Sequence, residues 1–258
     1  MTDLAKLSSP EAREYFHART IAILPCGATE PHGPHLPIDT DVTIAVAHAR
    51  LAAAKLEALG VQALVLPPIA YGITNWTQGF PGRLSIRSGT LFALIEDLLS
   101  ALEFEGIRQL VVVNAHLEPE NVRILRNALF DRAERHKDHV QAVFADNTRR
   151  TFAEKLGAEF QSGDCHAGSY ETSLVLAADP DSVRSYQQLK PVRIDLIEKA
   201  KAGVASFLEA GAKEAYCGDP AAASAEEGRA LLEVLADEVV ALARASWPDL
   251  FGGRGSGA

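Results

Sequence analysis

Short apolar runs and longer amphipathic stretches alternate along the first part of the chain. The runs cover residues 21–24, 61–66, 110–113 and 140–144. Each is β-branched or apolar almost throughout and is bounded by turn or polar residues, the pattern of strands buried on both faces. The stretches cover residues 41–59, 90–104 and 120–137. In the first, Ile44, Ala47, Leu51 and Leu56 recur near helical spacing, and in the third Val122, Ile124, Leu125, Leu129 and Phe130 do so. Strand and helix in alternation predict an α/β fold, a three-layer α/β/α domain with a mostly parallel central sheet. Such sheets bind ligands beyond the carboxyl ends of their strands, which directs attention to the loops starting at Pro25, Pro67 and Asn114.

The second half is less regular. Helices are expected over residues 170–177 and 225–245, the latter with Ser224 as N-cap and Glu227 completing a capping box. No internal repeat or low-complexity linker divides the chain. Residues 1–250 therefore read as one domain and 251–258 as a flexible tail of mostly small residues.

Composition narrows the function classes. A net charge of −9 over 258 residues argues against nucleic acid as the main partner, since phosphate binding needs a basic face. Three widely spaced cysteines, Cys26, Cys165 and Cys217, form no disulfide framework, and no signal peptide or membrane-length apolar run is visible. A cytoplasmic protein without membrane partners is the expectation.

Residues 24–41 read L-P-C-G-A-T-E-P-H-G-P-H-L-P-I-D-T-D and gather six residues able to bind metal: Glu30, His32, His35, Asp39, Asp41 and, less aptly, Cys26. Hard carboxylates mixed with imidazole suit Zn²⁺ or Mn²⁺. Like charges on one short loop repel unless a cation compensates them. Singly, each residue has a plainer reading: Thr40 or Asp41 could cap the following helix, and His35 could bond a neighbour. Residues 111–121 repeat the two-apart spacing with His116 and Glu118, although Glu118 also suits a helix start. Residues 163–173 carry His166 among small residues, with Glu171 five positions on. Cys165 beside His166 invites a Cys/His nucleophile, but adjacent residues in an extended loop point apart.

Together, G-A-T-E-P-H-G-P-H-L-P-I-D-T-D (27–41), N-A-H-L-E-P-E-N (114–121), H-A-G-S-Y-E-T-S (166–173), C-G-D-P-A-A-A-S-A-E-E-G (217–228) and F-P-G (80–82) resemble the creatininase family of amidohydrolases. The resemblance spans about residues 20–245. It implies two divalent ions, zinc or manganese with iron as a further candidate. Glu30, Asp41 and His116 would hold one ion, and His32, Asp41 and Glu118 the other, Asp41 bridging. Family members assemble as hexamers or other oligomers, so a homo-oligomer is implied. Three departures bear on the substrate. Ala115 stands where Gly is usual, Leu117 replaces an aromatic residue, and residues 157–165 hold Phe160 but no Trp. Creatinine specificity does not carry over.

The chemistry implied is hydrolysis of a non-peptide amide, lactam or formamide of a small molecule by metal-generated hydroxide. His166 would be the proton donor to the leaving nitrogen, and Glu118 would assist by receiving the water's proton. Glu171 is expected behind the ligands or in helix packing. Trp76, Leu117 and Cys165 are expected to border the substrate, with a subunit contact as the alternative for Trp76. Rival branches of the family deformylate a formamidopyrimidine nucleotide or remove a peptide's terminal residues during cofactor maturation, and Arg83 and Arg87 would serve a phosphorylated substrate. An inactive metal-stabilised scaffold is the reading from another class. A flavodoxin-like nucleotide module would need a glycine-rich phosphate loop that is missing after the first strand.

Overall fold

The structure, a computed structural model, describes residues 2–135 and 140–252. In chain order the elements are α1 (Ser9–Ala12), β1 (Ile21–Cys26), α2 (Thr40–Ala58), β2 (Ala63–Val65), α3 (Ser88–Phe104), β3 (Gln109–Asn114), α4 (Pro119–Arg135) and β4 (Gln141–Ala145). Then follow α5 (Arg150–Ala153), α6 (Gly157–Ser162), α7 (Ser169–Ala178), α8 (Leu196–Lys201), α9 (Phe207–Ala210) and α10 (Ala225–Ser246). All strand pairs are parallel, in the order β2-β1-β3-β4.

Successive strand residues feed opposite layers, as the period-2 geometry of a strand requires. Ala22, Leu24, Leu64, Leu110 and Val112 pack against Leu91, Ile95 and Leu99 of α3 and Leu125 of α4. Ile21, Ile23, Val111 and Val113 pack on the other side against α2 and α10, through Ala49, Ala52, Ala53, Ala236 and Val239. The result is the expected three-layer α/β/α arrangement. A third cluster, including Leu36, Ile44, Phe160, Tyr170, Leu174 and Leu235, joins α6 and α7 to this layer.

Two edges behave differently. At β2 the N-terminal segment covers the edge, Val65 N–H donating to Thr2 O, and the strand is buried throughout. At β4, expected to be buried on both faces, Gln141 is exposed and Ala142, Val143 and Phe144 are half-buried, because nothing pairs beyond it among the described residues. Phe130, placed on the apolar stripe by its spacing, is 69 % exposed, and Ala128 takes the inward position instead. The expected helix over 120–137 is observed as Pro119–Arg135, and residues 136 and 137 lie outside the described ones.

Ser224 caps α10 by accepting from Glu227 N–H, but the reciprocal half of the box is not made. Glu227 Oε2 accepts from Ser173 Oγ, which in turn accepts from Ser224 N–H, so α7 closes the cap. Of the residues expected in a tail, Phe251 packs on the second core cluster, and residues 253–258 lie outside the described ones. No helix among the described residues is long and apolar enough to cross a membrane.

The strand order reverses between β1 and β3, and a crevice at such a switch point is where an open parallel sheet binds its ligand. Cys26 and Asn114 end those strands side by side. The loops that follow carry the candidate donors.

Candidate metal centre

Two glycines let the loops converge. A Cβ on Gly27 would lie 2.6 Å from Val42 N and 2.7 Å from the Asp41 carbonyl carbon. Without one, the chain leaving β1 runs directly against the first turn of α2 and brings Asp41 to the strand ends. A Cβ on Gly72 would lie 2.9 Å from Asn121 Oδ1 and 3.1 Å from His116 Cδ2. The bare backbone there settles on the β3 loop, where Ile73 N–H donates to Asn121 Oδ1 (3.1 Å) and Ile73 O accepts from His116 Nε2 (2.6 Å).

That bond fixes a tautomer. A carbonyl only accepts, so His116 carries hydrogen on Nε2, and Nδ1 faces Glu30 Oε1 at 2.9 Å and Asp41 Oδ2 at 3.0 Å. His32 is set the same way. Its Nδ1–H donates to Glu30 O (3.0 Å), which turns Nε2 toward Asp41 Oδ1 at 3.1 Å and Glu171 Oε2 at 3.5 Å. A backbone carbonyl holding the far nitrogen of an imidazole is the usual support of a metal-ligating histidine. All five side chains are buried. His32 Nε2 and Asp41 Oδ2 have no hydrogen-bond partner despite their burial, and a buried polar atom left so is costly unless something else satisfies it.

The electrostatics lead to the same conclusion. Burial alone would drive both histidines down, but Asp41 and Glu171 outweigh it at His32, which is held up at about 10. Glu30 and Asp41 likewise hold His116 well above its ordinary value. Burial raises Asp41, and the imidazoles of His32 and His116 overturn that and hold it far below the carboxylate range. Positive charge is what this cluster demands, and a divalent cation among neutral imidazoles and carboxylates would supply it.

The donors form two groups that share Asp41: Glu30, Asp41 and His116, and His32, Asp41 and Glu171, each with ligand atoms within 4.8 Å of one another. Glu118, expected in the second group, is in neither. Both its oxygens accept backbone N–H groups, Oε1 from Asn75 (3.0 Å) and Oε2 from Trp76 (3.1 Å). Burial lifts its carboxyl to about 7, against the pull of His116 and those two bonds. Glu171, expected only as support, is the third member of the group with His32 and Asp41. It stands in the first turn of α7, buried, and Oε2 also accepts from Ala167 N–H (2.6 Å).

His166 stacks between His32 (ring centroids 4.4 Å) and Phe207 (4.3 Å, interplanar 21°). Its Nε2–H donates to Pro31 O (3.0 Å), leaving Nδ1 as the lone-pair nitrogen. Burial, reinforced by His32, lowers it to about 4, so the ring is neutral at physiological pH. His166 also lies within reach of Glu30 and His32 as a third set of donors. The remaining candidates sit elsewhere. His35 Nε2 bonds Thr172 Oγ1 (2.8 Å), Asp39 is the exposed N-cap of α2, and Cys26 belongs to the core.

A cavity of about 480 Å³ opens over the cluster. Leu117, Phe160, Leu196, Ile197 and Phe207 give it apolar walls, Trp76 and Cys165 line it, and Arg126 and Lys201 are the cations on its lining. Burial holds the Cys165 thiol well above its usual value, which disfavours it as a nucleophile. Arg83 is not on the lining and braces the loop through Thr74 O (2.5 Å) and Asn75 Oδ1 (3.1 Å). Nothing in the sequence pointed to Phe207 or to the α8 wall. Asn121, by contrast, closes the quoted 114–121 motif.

A parallel α/β/α sheet with carboxylates and imidazoles in two groups sharing one aspartate defines an α/β protein with a candidate divalent-metal centre. A family profile described as creatininase, creatinine amidohydrolase, matches residues 5–243, and the chain belongs to the creatininase family. It is 34 % identical over 227 residues to a mycofactocin precursor peptide peptidase of Mycobacterium tuberculosis (strain CDC 1551 / Oshkosh), covering 84 % of this chain and 82 % of that one. To a creatinine amidohydrolase of Pseudomonas putida it is 30 % identical over 176 residues, covering 63 % and 66 %. A solved manganese form of creatininase superposes with a TM-score of 0.72 at 23 % identity, covering 96 % and 99 %, which attests the fold. The chain is thus a creatininase-family amidohydrolase.

Proposed function

We propose that this amidohydrolase cleaves an amide bond in a peptide or peptide-like substrate bearing apolar groups. The observation that carries the reading is the cavity over the donor cluster, about 480 Å³ with apolar walls. That volume suits a ligand of drug size, for which pockets run roughly 300–1,000 Å³, and is generous for a single small ring. The relative acting on a precursor peptide supports the same choice.

Glu30, Asp41 and His116 would hold one divalent ion, and His32, Asp41 and Glu171 a second, zinc and manganese both suiting these donors. Bound there, the ions would polarise the scissile carbonyl and make water a nucleophile at neutral pH. The chain's own residues supply the rest. His166, neutral with a free Nδ1, starts as proton acceptor for the attacking water and returns that proton to the leaving nitrogen. Trp76, Phe160 and Ile197 exclude water from the substrate's apolar flank.

The test combines metal analysis with a substrate panel. Bound zinc and manganese are counted per chain. Creatinine, N-formyl amides, a pyroglutamyl lactam and acetylated tetrapeptides ending in Leu, Phe or Val are then assayed with and without chelator. Peptide cleavage lost on chelation is expected. Turnover confined to creatinine or formamides would restore the small non-peptide amide expected from the sequence. A fully metallated protein inert on every member would return the scaffold reading.

A further inference from the structure

Phe207 comes from a segment remote in sequence from every donor, yet it touches two residues of the site at once. Its ring is buried and lies on His166, centroids 4.3 Å apart at 21°, and meets Trp76 edge-on at 5.6 Å. Its backbone N–H donates to Trp76 O (2.8 Å). The next residue, Leu208, packs where Gly79 has no side chain: a Cβ there would lie 2.6 Å from Leu208 Cδ1. Helix α9 is therefore docked on the loop over residues 75–79, and Glu118 holds the same loop through Asn75 and Trp76 N–H.

His166 itself hangs from one hydrogen bond, Nε2 to Pro31 O, with its two faces against His32 and Phe207. An imidazole with a single polar anchor can still turn about that bond. The flat aromatic face at stacking distance removes the freedom, and only then does Nδ1 keep one direction. We infer that Phe207 is a positioning residue that locks the plane and tautomer of His166 and ties it to the Trp76 loop. The inference rests on the proton-transfer reading of His166.

The decisive readout needs no substrate. Zinc-loaded full-length enzyme labelled with ¹⁵N-histidine is observed by nitrogen-detected correlation NMR, the His166 signals being assigned by their loss in His166→Gln. Wild type and Phe207→Tyr should show one fixed Nε2–H tautomer at His166. Phe207→Leu, apolar but without a flat face, should show averaged nitrogen shifts with zinc content unchanged. Should Phe207→Leu not fold, Phe207→Met carries the same arm. In kinetics on the fastest-cleaved member of the panel above, Phe207→Leu should lower kcat roughly 10- to 100-fold, the loss that misplacing a catalytic group by about an ångström brings. The fall in kcat should exceed any rise in KM, to which Phe207 contributes as part of the cavity wall, and Phe207→Tyr should restore kcat. Unchanged nitrogen shifts in Phe207→Leu, or a loss expressed wholly in KM, would overturn the inference. Full turnover in His166→Ala would instead remove the proton-transfer reading.

Discussion

Glu171 Oε2 lies 3.5 Å from His32 Nε2, although Glu171 stands in the first turn of α7 and His32 in the loop before α2, far apart in the sequence. Glu118, two residues from His116, spends both carboxylate oxygens on the backbone N–H groups of Asn75 and Trp76. Metal stoichiometry should follow these contacts. Glu171→Ala is expected to cost one of two bound ions, weakening that site by more than the roughly 10- to 100-fold that loss of an outer-shell partner costs. Glu118→Gln should keep both, and Asp41→Ala should lose both, because Asp41 is common to the two groups. Elemental analysis after dialysis decides. A Glu118 variant with one ion and a Glu171 variant with two would reverse the assignment.

The different surroundings of Glu118 and Glu171 have a physical origin. Two-apart spacing puts side chains on one side of an extended loop, and it does so for Glu30 and His32. After β3 the chain turns at once into α4, and Glu118 is captured by amides of a loop that only the tertiary fold brings near. Asp41 and Glu171 share a local signal: each is an acidic residue in the first turn of a helix that follows a histidine-bearing loop. The strands, the α/β/α layers and the Glu30–His32–Asp41–His116 cluster were all readable because periodicity and clustering are local. Phe207 was not, since an isolated aromatic in an irregular stretch carries no period. The alanine-lined face of α2 was partly hidden too, because its burial relies on Ala45, Ala49, Ala52 and Ala53 more than on large apolar residues.

Loosening the Trp76 loop should be visible apart from metal content. Glu118→Gln keeps one acceptor oxygen but offers an amide NH₂ where the second backbone N–H now donates. One of two charge-assisted bonds is lost and a donor meets a donor, a cost of about 1–3 kcal/mol at a buried site. Trp76 lines the cavity, so KM should rise by roughly 5- to 150-fold, the same energy expressed as binding. Fluorescence should shift to the red in a Trp247→Phe background, which isolates Trp76. Unchanged emission and KM would show that Arg83 and the docked helix α9 hold the loop without Glu118.

Acid sensitivity should arise partly at His48, seven residues beyond Asp41 on α2. It is buried in α2 with Nε2–H donating to Leu235 O (2.9 Å), and burial, only partly opposed by that bond, lowers it to about 4. The unfolded chain takes up this proton near pH 6.5 and the native state only near 4, so stability is intact above about 6.5 and lost as pH falls through that window. The loss is on the order of 3 kcal/mol. Replacing His48 by Gln should flatten the denaturation profile between pH 6.5 and 4 relative to wild type. Parallel profiles would assign the acid sensitivity to other groups.

Glu238 should act with the opposite sign. It sits on α10, buried, with Oε1 lacking a hydrogen-bond partner, and burial lifts it to about 8, with Asp146 adding to the rise and Lys155 opposing it. A carboxyl that ionises near 4.5 when unfolded but near 8 when folded leaves the native state holding the extra proton in between. Its contribution is therefore complete below about 4.5 and declines as pH climbs toward 8. At pH 7 the decline is on the order of 3 kcal/mol. Glu238→Gln removes the titration while keeping the shape, so the variant should melt several degrees above wild type at pH 7 to 8. The gap should close by pH 4.5. Comparing variant with parent cancels the metal-site groups common to both. A gap that stays constant across this range would mean that Glu238 finds water or a partner when it ionises, and is not held protonated by its surroundings.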